Sequence, residues 1–126
     1  MSREAVNTDA APKAIGPYAQ AIRSNGFLFT SGQIALDPDS GNLIDGDISA
    51  QTRQVFQNLK AVLEAGGSSL DRVVKATVYL QRMSDFPIVN AVYQEFLGAS
   101  KPARSTVAIA ELPKGALIEI DLIALT

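Results

Sequence analysis

The C-terminal third of the chain carries charged residues where a small domain normally has apolar ones. Arg104 stands at the head of an apolar strand-like run, and Glu119 and Asp121 lie inside the next such run. A buried charge is costly unless it is paired or used. A guanidinium offers a planar fork of donors that can bind a carboxylate through two hydrogen bonds. The pattern is typical of an anion site, and an arginine exposed at a strand end would produce it too.

Glu119 and Asp121 are two residues apart, so in a strand their side chains point to the same face. A carboxylate in such a position can orient or deprotonate a water molecule. Two other interpretations remain open at this point: a solvated face of an edge strand, and salt bridges between subunits. The apolar residues Ile123 and Leu125 continue the same face and weaken the first of these.

The residue types that are missing restrict the chemistry further. The chain has no histidine, cysteine or tryptophan, which excludes Ser-His-Asp triads, thiolate nucleophiles and the common zinc sites. Ser31 has no histidine to activate it as a nucleophile. The adjacent Gly32 either lets a ligand approach the backbone or belongs to an ordinary turn. We therefore expect no cofactor and no metal, and chemistry carried by arginine, carboxylate, hydroxyl, amide and backbone groups.

Composition limits the class of protein. The chain has 126 residues, of which 47% are hydrophobic and 19% charged, as expected for one globular domain spanning residues 1–126. The net charge is -2, and lysine and arginine are scattered singly, which argues against nucleic acid as a partner. Apolar runs fall far short of the roughly 20 residues that a membrane span needs, and the first residues lack a secretory signal. We expect a cytoplasmic protein without a membrane partner.

The hydrophobic pattern predicts an α+β fold in the order β-β-α-β-α-β-β, with one sheet and both helices on a single face. The predicted helices run from an N-cap at Ser49 to about Ala65, and over Asp85 to Leu97 behind a cap at Ser84. The predicted strands are Tyr18 to Arg23, Phe27 to Ser31, Val74 to Leu80, Ser105 to Ala110 and Leu117 to Leu125. The last strand is apolar on both faces, so the face without helices needs a cover, and another copy of the chain is the simplest one.

Several segments resemble the Rid (YjgF) family, and its RidA branch in particular. They are Ala14-Ile-Gly-Pro-Tyr18, Phe29-Thr-Ser-Gly-Gln-Ile34, Gln51-Thr-Arg-Gln-Val-Phe-Gln-Asn-Leu-Lys60, Val73-Val-Lys-Ala-Thr-Val-Tyr79, Val89-Asn-Ala-Val-Tyr93, Pro102-Ala-Arg-Ser-Thr-Val107 and Leu112-Pro-Lys-Gly-Ala-Leu-Ile-Glu-Ile-Asp121. The similarity extends over nearly the whole chain, with the segments in the family's order and spacing.

The resemblance implies a chorismate-mutase-like α+β fold and a homotrimer with clefts between neighbouring subunits. It also implies hydrolysis of reactive enamines and imines, such as 2-aminoacrylate and 2-aminocrotonate, that pyridoxal-phosphate dehydratases release. The products would be 2-keto acids and ammonia. Members of the family have also been linked to ribonuclease or translation-inhibiting activity, to regulation through protein partners, and to chaperone-like holding. A regulatory protein that binds keto acids would use the same Arg104 pocket.

By resemblance, Arg104 would grip the substrate carboxylate and Glu119 would hold the attacking water. The other substrate contacts would fall on Tyr18, Ser31, Gly32, Asn90 and Thr106. Thr106 departs from the family pattern, because this position is often cysteine. The threonine puts any thiol role in doubt and favours contacts through the backbone of Thr106.

Overall fold

The computed structural model describes residues 2–126 as two helices packed on one face of a six-stranded mixed sheet. The strands are β1 (Glu4–Val6), β2 (Ala21–Ser24), β3 (Phe27–Thr30), β4 (Val73–Leu80), β5 (Ala103–Ala108) and β6 (Ile118–Leu125). The helices are α1 (Ile48–Ala65) and α2 (Phe86–Leu97). The strand order is β1-β2-β3-β6-β4-β5; β4 and β5 are parallel, and the other neighbours are antiparallel. The predicted α+β class with both helices on one face is confirmed.

Helix α1 supplies the largest apolar face of the core. Its buried apolar residues recur at helical spacing and are Ile48, Val55, Phe56, Leu59, Val62 and Leu63. The predicted N-cap at Ser49 is wrong, because Asp47 Oδ1 accepts a hydrogen bond from Ala50 N at 2.9 Å and the helix begins at Ile48. Within residues 2–126, no helix is long and apolar enough to cross a membrane.

Helix α2 begins one residue later than predicted, and Ser84 does not cap it. A short 3-10 turn, Met83–Asp85, leads into the helix, and Pro87 stands in the first helical turn. Proline is tolerated there because its missing N–H has no intrahelical partner. The face towards α1 is aromatic: the rings of Phe56 and Phe96 stack with centroids 4.8 Å apart.

Strand boundaries differ most in the N-terminal segment. The first predicted strand begins at Ala21 instead of Tyr18, because Gly16 at φ 128° and a hydrogen bond from Tyr18 N to Gly16 O turn the chain there. Strand β1, which pairs with β2, was not predicted. It has only three residues and one buried side chain, so it carries almost no alternation signal.

The two faces of the sheet differ in what covers them. The alternating residues of β6 that face the helices, Ile118, Ile120, Leu122 and Ala124, are fully or almost fully buried. We call the opposite face of the sheet the open face. It carries exposed apolar side chains, those of Phe27, Phe29, Val107 and Leu125. The prediction that β6 is apolar on both faces is therefore confirmed, with one face uncovered in the single chain.

Candidate active site

Arg104 lies on edge strand β5, on the side of the sheet that faces the helices. It stands opposite the buried Ala76 in the parallel pairing of β4 and β5. Its Nη1 donates to Asn90 Oδ1 on α2 at 2.7 Å. The guanidinium carbon lies 4.6 Å from the centroid of the Tyr93 ring and 5.1 Å from that of Phe86. One amide and two aromatic rings of α2 therefore hold the guanidinium in place.

Beside Arg104 is a cavity of about 400 Å³, which we call the arginine pocket. Its lining residues come from α2, the following loop and the start of β5 and include Asn90, Tyr93, Gln94, Leu97, Lys101 and Arg104. Among residues 2–126, no carboxylate lies within 4.0 Å of the Arg104 guanidinium. Arg104 is thus oriented by neutral groups and keeps its charge and other donors for an anionic ligand, for which a carboxylate is a geometric match.

Two buried hydroxyls near Arg104 have no hydrogen-bond partner among the described residues. They are Tyr93 Oη and Thr106 Oγ1. Burial raises the pKa of Tyr93, and the neighbouring Arg104 charge opposes that rise only in part. Tyr93 therefore stays neutral at physiological pH and serves Arg104 through its ring. The Thr106 hydroxyl is buried and makes no hydrogen bond among the described residues, so the expected ligand contact through its backbone stays a prediction.

Replacing Thr106 by valine is expected to leave most of the activity intact. Valine keeps the branched shape and deletes a hydroxyl that is buried without a partner, so the free energy of unfolding should stay the same or rise by about 1 kcal/mol. Thermal melting and initial rates of the variant measure both effects. A loss of turnover as deep as that of an Arg104 variant would show that the hydroxyl takes part in the reaction.

Glu119 lies on the open face of β6, in a second cavity of about 350 Å³ that we call the glutamate pocket. Tyr18 and Gly32, both singled out from the sequence, line it together with Glu119. Two cationic residues not anticipated from the sequence, Lys13 and Lys114, complete the rim. The pocket therefore gathers the N-terminal loop, the end of β3, the turn before β6 and β6 itself around one carboxylate.

The Glu119 carboxylate packs directly against the backbone of Gly32. A Cβ built on Gly32 would overlap the carboxylate oxygen and lie 2.8 Å from Glu119 Cδ. The missing side chain at Gly32 therefore lets the Glu119 carboxylate lie against the backbone, and a larger residue would push the carboxylate aside. From the sequence alone, Gly32 indicated only that a ligand could approach the backbone there.

We expect Gly32→Ala to lower turnover by up to about 100-fold, because the added methyl displaces the carboxylate by an ångström or more. The backbone at Gly32 does not lie in the left-handed region, so alanine introduces no conformational strain of its own. The measurement is kcat at saturating substrate, with the melting temperature as the control for folding. An unchanged kcat would show that the position of Glu119 over Gly32 is irrelevant to the reaction.

Ser31 and Gln20 hold the loop that carries Tyr18. The Ser31 hydroxyl donates to the Ala19 carbonyl at 2.6 Å, so its hydrogen is already committed within the chain. Gln20 is buried, and its amide accepts from Thr8 N at 2.6 Å and donates to Pro12 O at 2.7 Å. A glutamine in a strand pattern normally indicates a solvated face, so this anchoring role of Gln20 could not be predicted from the sequence.

The charge state of Glu119 is set by its surroundings. Burial raises the pKa of Glu119, and the negative charge of Asp121 raises it further. Glu119 therefore holds a proton up to a higher pH than an ordinary glutamate. A raised pKa makes the Glu119 carboxylate a stronger base than the carboxylate of an ordinary glutamate.

The two pockets lie on opposite faces of the sheet. On β5, Arg104 and Thr106 pair with Ala76 and Val78 of β4, whose side chains face the helices. On β6, Glu119 and Asp121 pair with Tyr79 and Thr77, whose side chains lie on the open face. Within one chain the structure therefore brings Arg104 together with Asn90, and Glu119 together with Tyr18 and Gly32. It does not bring Arg104 and Glu119 to a common ligand.

Comparison with known proteins identifies the family. A family model described as Endoribonuclease L-PSP matches residues 8–126. The chain belongs to this family. The resemblance to Rid proteins is confirmed as well, since the similar proteins include one from Arabidopsis thaliana named Reactive Intermediate Deaminase A and a solved structure named RidA.

Individual members of the L-PSP family match over nearly the full chain. A RutC family protein of Pyrococcus horikoshii is 55% identical over 122 residues, which cover 97% of each chain. The mouse 2-iminobutanoate/2-iminopropanoate deaminase is 42% identical over 122 residues, covering 97% of this chain and 90% of the mouse protein. The crystal structure of RidA from a Psychrobacter species superposes with a TM-score of 0.93 at 42% identity, covering 98% of this chain and 99% of that one.

Proposed function

We propose that this L-PSP family protein is a hydrolytic deaminase of enamines and imines derived from 2-amino acids, such as 2-aminoacrylate and 2-aminocrotonate. The products are 2-keto acids and ammonia. Two similar proteins, from mouse and from Arabidopsis, are named as deaminases of this kind. The chemistry is within reach of the side chains present, since imines are hydrolysed by water once it is positioned and charge is balanced.

The observation that carries the proposal is the placement of the two pockets on opposite faces of one sheet. A substrate that needs both the Arg104 guanidinium and the Glu119 carboxylate has to lie between two copies of the chain. The exposed apolar side chains of the open face supply a reason for copies to associate. We propose a homotrimer in which each cleft takes the arginine pocket of one subunit and the glutamate pocket of its neighbour.

In such a cleft, Arg104 binds the carboxylate that every 2-imino acid carries, and Asn90 keeps the guanidinium oriented by its hydrogen bond. Glu119 orients a water molecule towards the imine carbon and accepts its proton as the C–O bond forms. Tyr18 closes the pocket on the side of the N-terminal loop. The contribution of the protein is positioning and electrostatics, and no covalent intermediate with the chain is required.

The family description names a second candidate, cleavage of RNA. A ribonuclease of this size would normally show a basic stripe for the phosphate backbone. Here the net charge is -2 and the sequence pI is about 5.0. The deaminase therefore fits the charge distribution better, and RNA cleavage becomes an outcome that the test has to detect.

The test is to add the purified protein to a pyridoxal-phosphate dehydratase with serine or threonine and to follow keto-acid formation. We expect faster keto-acid release and a shorter lifetime of the enamine, in proportion to the protein added. Light scattering on the same sample should give a trimer mass. A monomer at micromolar concentration would contradict the shared cleft, and unchanged keto-acid release together with RNA cleavage would support the second candidate.

A further inference from the structure

Three side chains form a polar cluster on the open face that the proposed reaction uses only in part. Tyr79 on β4 stands directly opposite Glu119 on β6 in the antiparallel register. Its hydroxyl donates to Asp121 Oδ2 at 3.0 Å, two residue pairs further along the ladder. The phenol thus lies along the side of Glu119 and fixes the carboxylate of Asp121 on the same face, two residues away.

No cation neutralises the two acids within the described residues. Lys13 and Lys114 line the glutamate pocket, but neither lies within 4.0 Å of a Glu119 oxygen in the described chain. Lys75, on the same face of β4, donates to Ser105 Oγ at 3.1 Å. Tyr18 is the remaining titratable side chain in the pocket.

We propose that Asp121, held by the hydroxyl of Tyr79, keeps Glu119 able to carry a proton through the reaction, so that Glu119 accepts one from water and returns it to the departing nitrogen. Asp121 and Tyr79 are then positioning residues, and neither touches the substrate. The catalytic part of this inference rests on the proposed deaminase function. The coupling between the two acids does not.

The proton balance shows why such a carrier is needed. Water attacks the carbon of the protonated imine, the C=N π pair moves to nitrogen, and Glu119 takes one water proton, which leaves a neutral carbinolamine. Glu119 then donates that proton to the amine, the C–N bond breaks with its electron pair on ammonia, and the hydroxyl oxygen forms the C=O bond. The hydroxyl proton passes through Glu119 to ammonia. The balance is protonated imine and water consumed, and keto acid and ammonium formed, with Glu119 returned to its starting state.

Tyr79 is suited to its part because it remains a donor. Burial raises the pKa of Tyr79, and the hydrogen bond to Asp121 and the charges of Asp121 and Glu119 raise it further. A neutral phenol keeps the Asp121 carboxylate fixed at a constant distance from Glu119. The negative charge of Asp121 then acts on Glu119 across one strand repeat, and it adds to the effect of burial on the pKa of Glu119.

The direct test is to follow the titration of Glu119 by ¹³C NMR of its side-chain carboxyl in the full-length protein, without substrate. Asp121→Asn removes the charge and keeps the shape, so the Glu119 midpoint should fall by roughly 0.5 to 1 pH unit. Asp71→Asn, an exposed acid at the end of the sheet remote from the pocket, is the matched control and should leave the midpoint in place. An unchanged midpoint in Asp121→Asn would overturn the coupling.

Tyr79→Phe removes the hydrogen bond that holds Asp121 and leaves the charge of Asp121 in place. It is also the second test if Asp121→Asn fails to fold. The variant keeps both acids and removes the hydrogen bond that holds Asp121, so the Glu119 midpoint should fall, but by less than in Asp121→Asn. An unchanged midpoint would contradict the positioning role of Tyr79. The pH profile of kcat/KM tests the catalytic role of Glu119. In Asp121→Asn the rise of kcat/KM on the acid side should move to lower pH, because Glu119 loses its proton at a lower pH. If the Glu119 midpoint falls and the profile does not move, Glu119 does not carry the proton. Absence of imine hydrolysis in the wild type, with the midpoint lowered in Asp121→Asn, would reject the deaminase function and leave the coupling intact.

Discussion

Replacing Arg104 by lysine is expected to lower kcat/KM for imine hydrolysis by roughly 10- to 150-fold, equivalent to about 1.5–3 kcal/mol for a hydrogen bond to a charged group. Lysine keeps the positive charge but loses the planar fork that matches a carboxylate. It also loses the donor to Asn90 Oδ1 and the stacking over the rings of Tyr93 and Phe86. The charge would remain near the cleft, but its direction would no longer be fixed.

The matched control is Arg82→Lys, which makes the same substitution at an exposed arginine outside both pockets. It should retain wild-type rates. Circular dichroism and thermal melting should be alike for the two variants and the wild type, because neither arginine belongs to the core. Wild-type rates in a folded Arg104→Lys protein would show that the guanidinium is not what binds the substrate carboxylate.

The second large effect is a recovery of activity in mixed assemblies. Glu119→Gln preserves shape and removes the charge and the stronger acceptor, so turnover should fall while keto-acid binding, which depends on Arg104, is nearly unchanged. If each cleft takes Arg104 from one subunit and Glu119 from its neighbour, co-assembly of Arg104→Lys and Glu119→Gln chains restores clefts with both native residues. Random mixing in equal amounts should return about a quarter of the wild-type activity.

Mixing the same two variants after assembly, without dissociation, is the control and should give no recovery. Mass spectrometry of intact mixed trimers verifies that the chains have exchanged. No recovery in verified mixed trimers would place the reaction within a single chain. If Glu119→Gln instead weakens binding and dissociates the trimer while the remaining trimer turns over normally, Glu119 is a structural acid of the interface.

The sequence by itself determined most of the fold. The helical spacing of Val55, Phe56 and Leu59 predicted α1, and the apolar residues on both faces of β6 predicted a strand that needs cover on both sides, because such patterns are a local property of the chain. Residue types also limited the chemistry, since the absence of histidine and cysteine does not depend on the fold. The exact helix starts could not be predicted in this way: Asp47 and Ser49 are both good N-caps, and the position of Ile48 in the core decides between them.

Only the tertiary structure decided which residues meet. Alternation along a strand predicts that Glu119 and Asp121 share a face, but it does not say on which side of the sheet the helices pack. The parallel pairing of β5 with β4 turns Arg104 towards Asn90, while the antiparallel pairing of β6 turns Glu119 towards Tyr79. The contact between Glu119 and Gly32 and the hydrogen bond between Tyr79 and Asp121 join residues far apart in sequence. Such contacts follow from strand order and register, which arise from the packing of the whole sheet and leave no local pattern in the sequence.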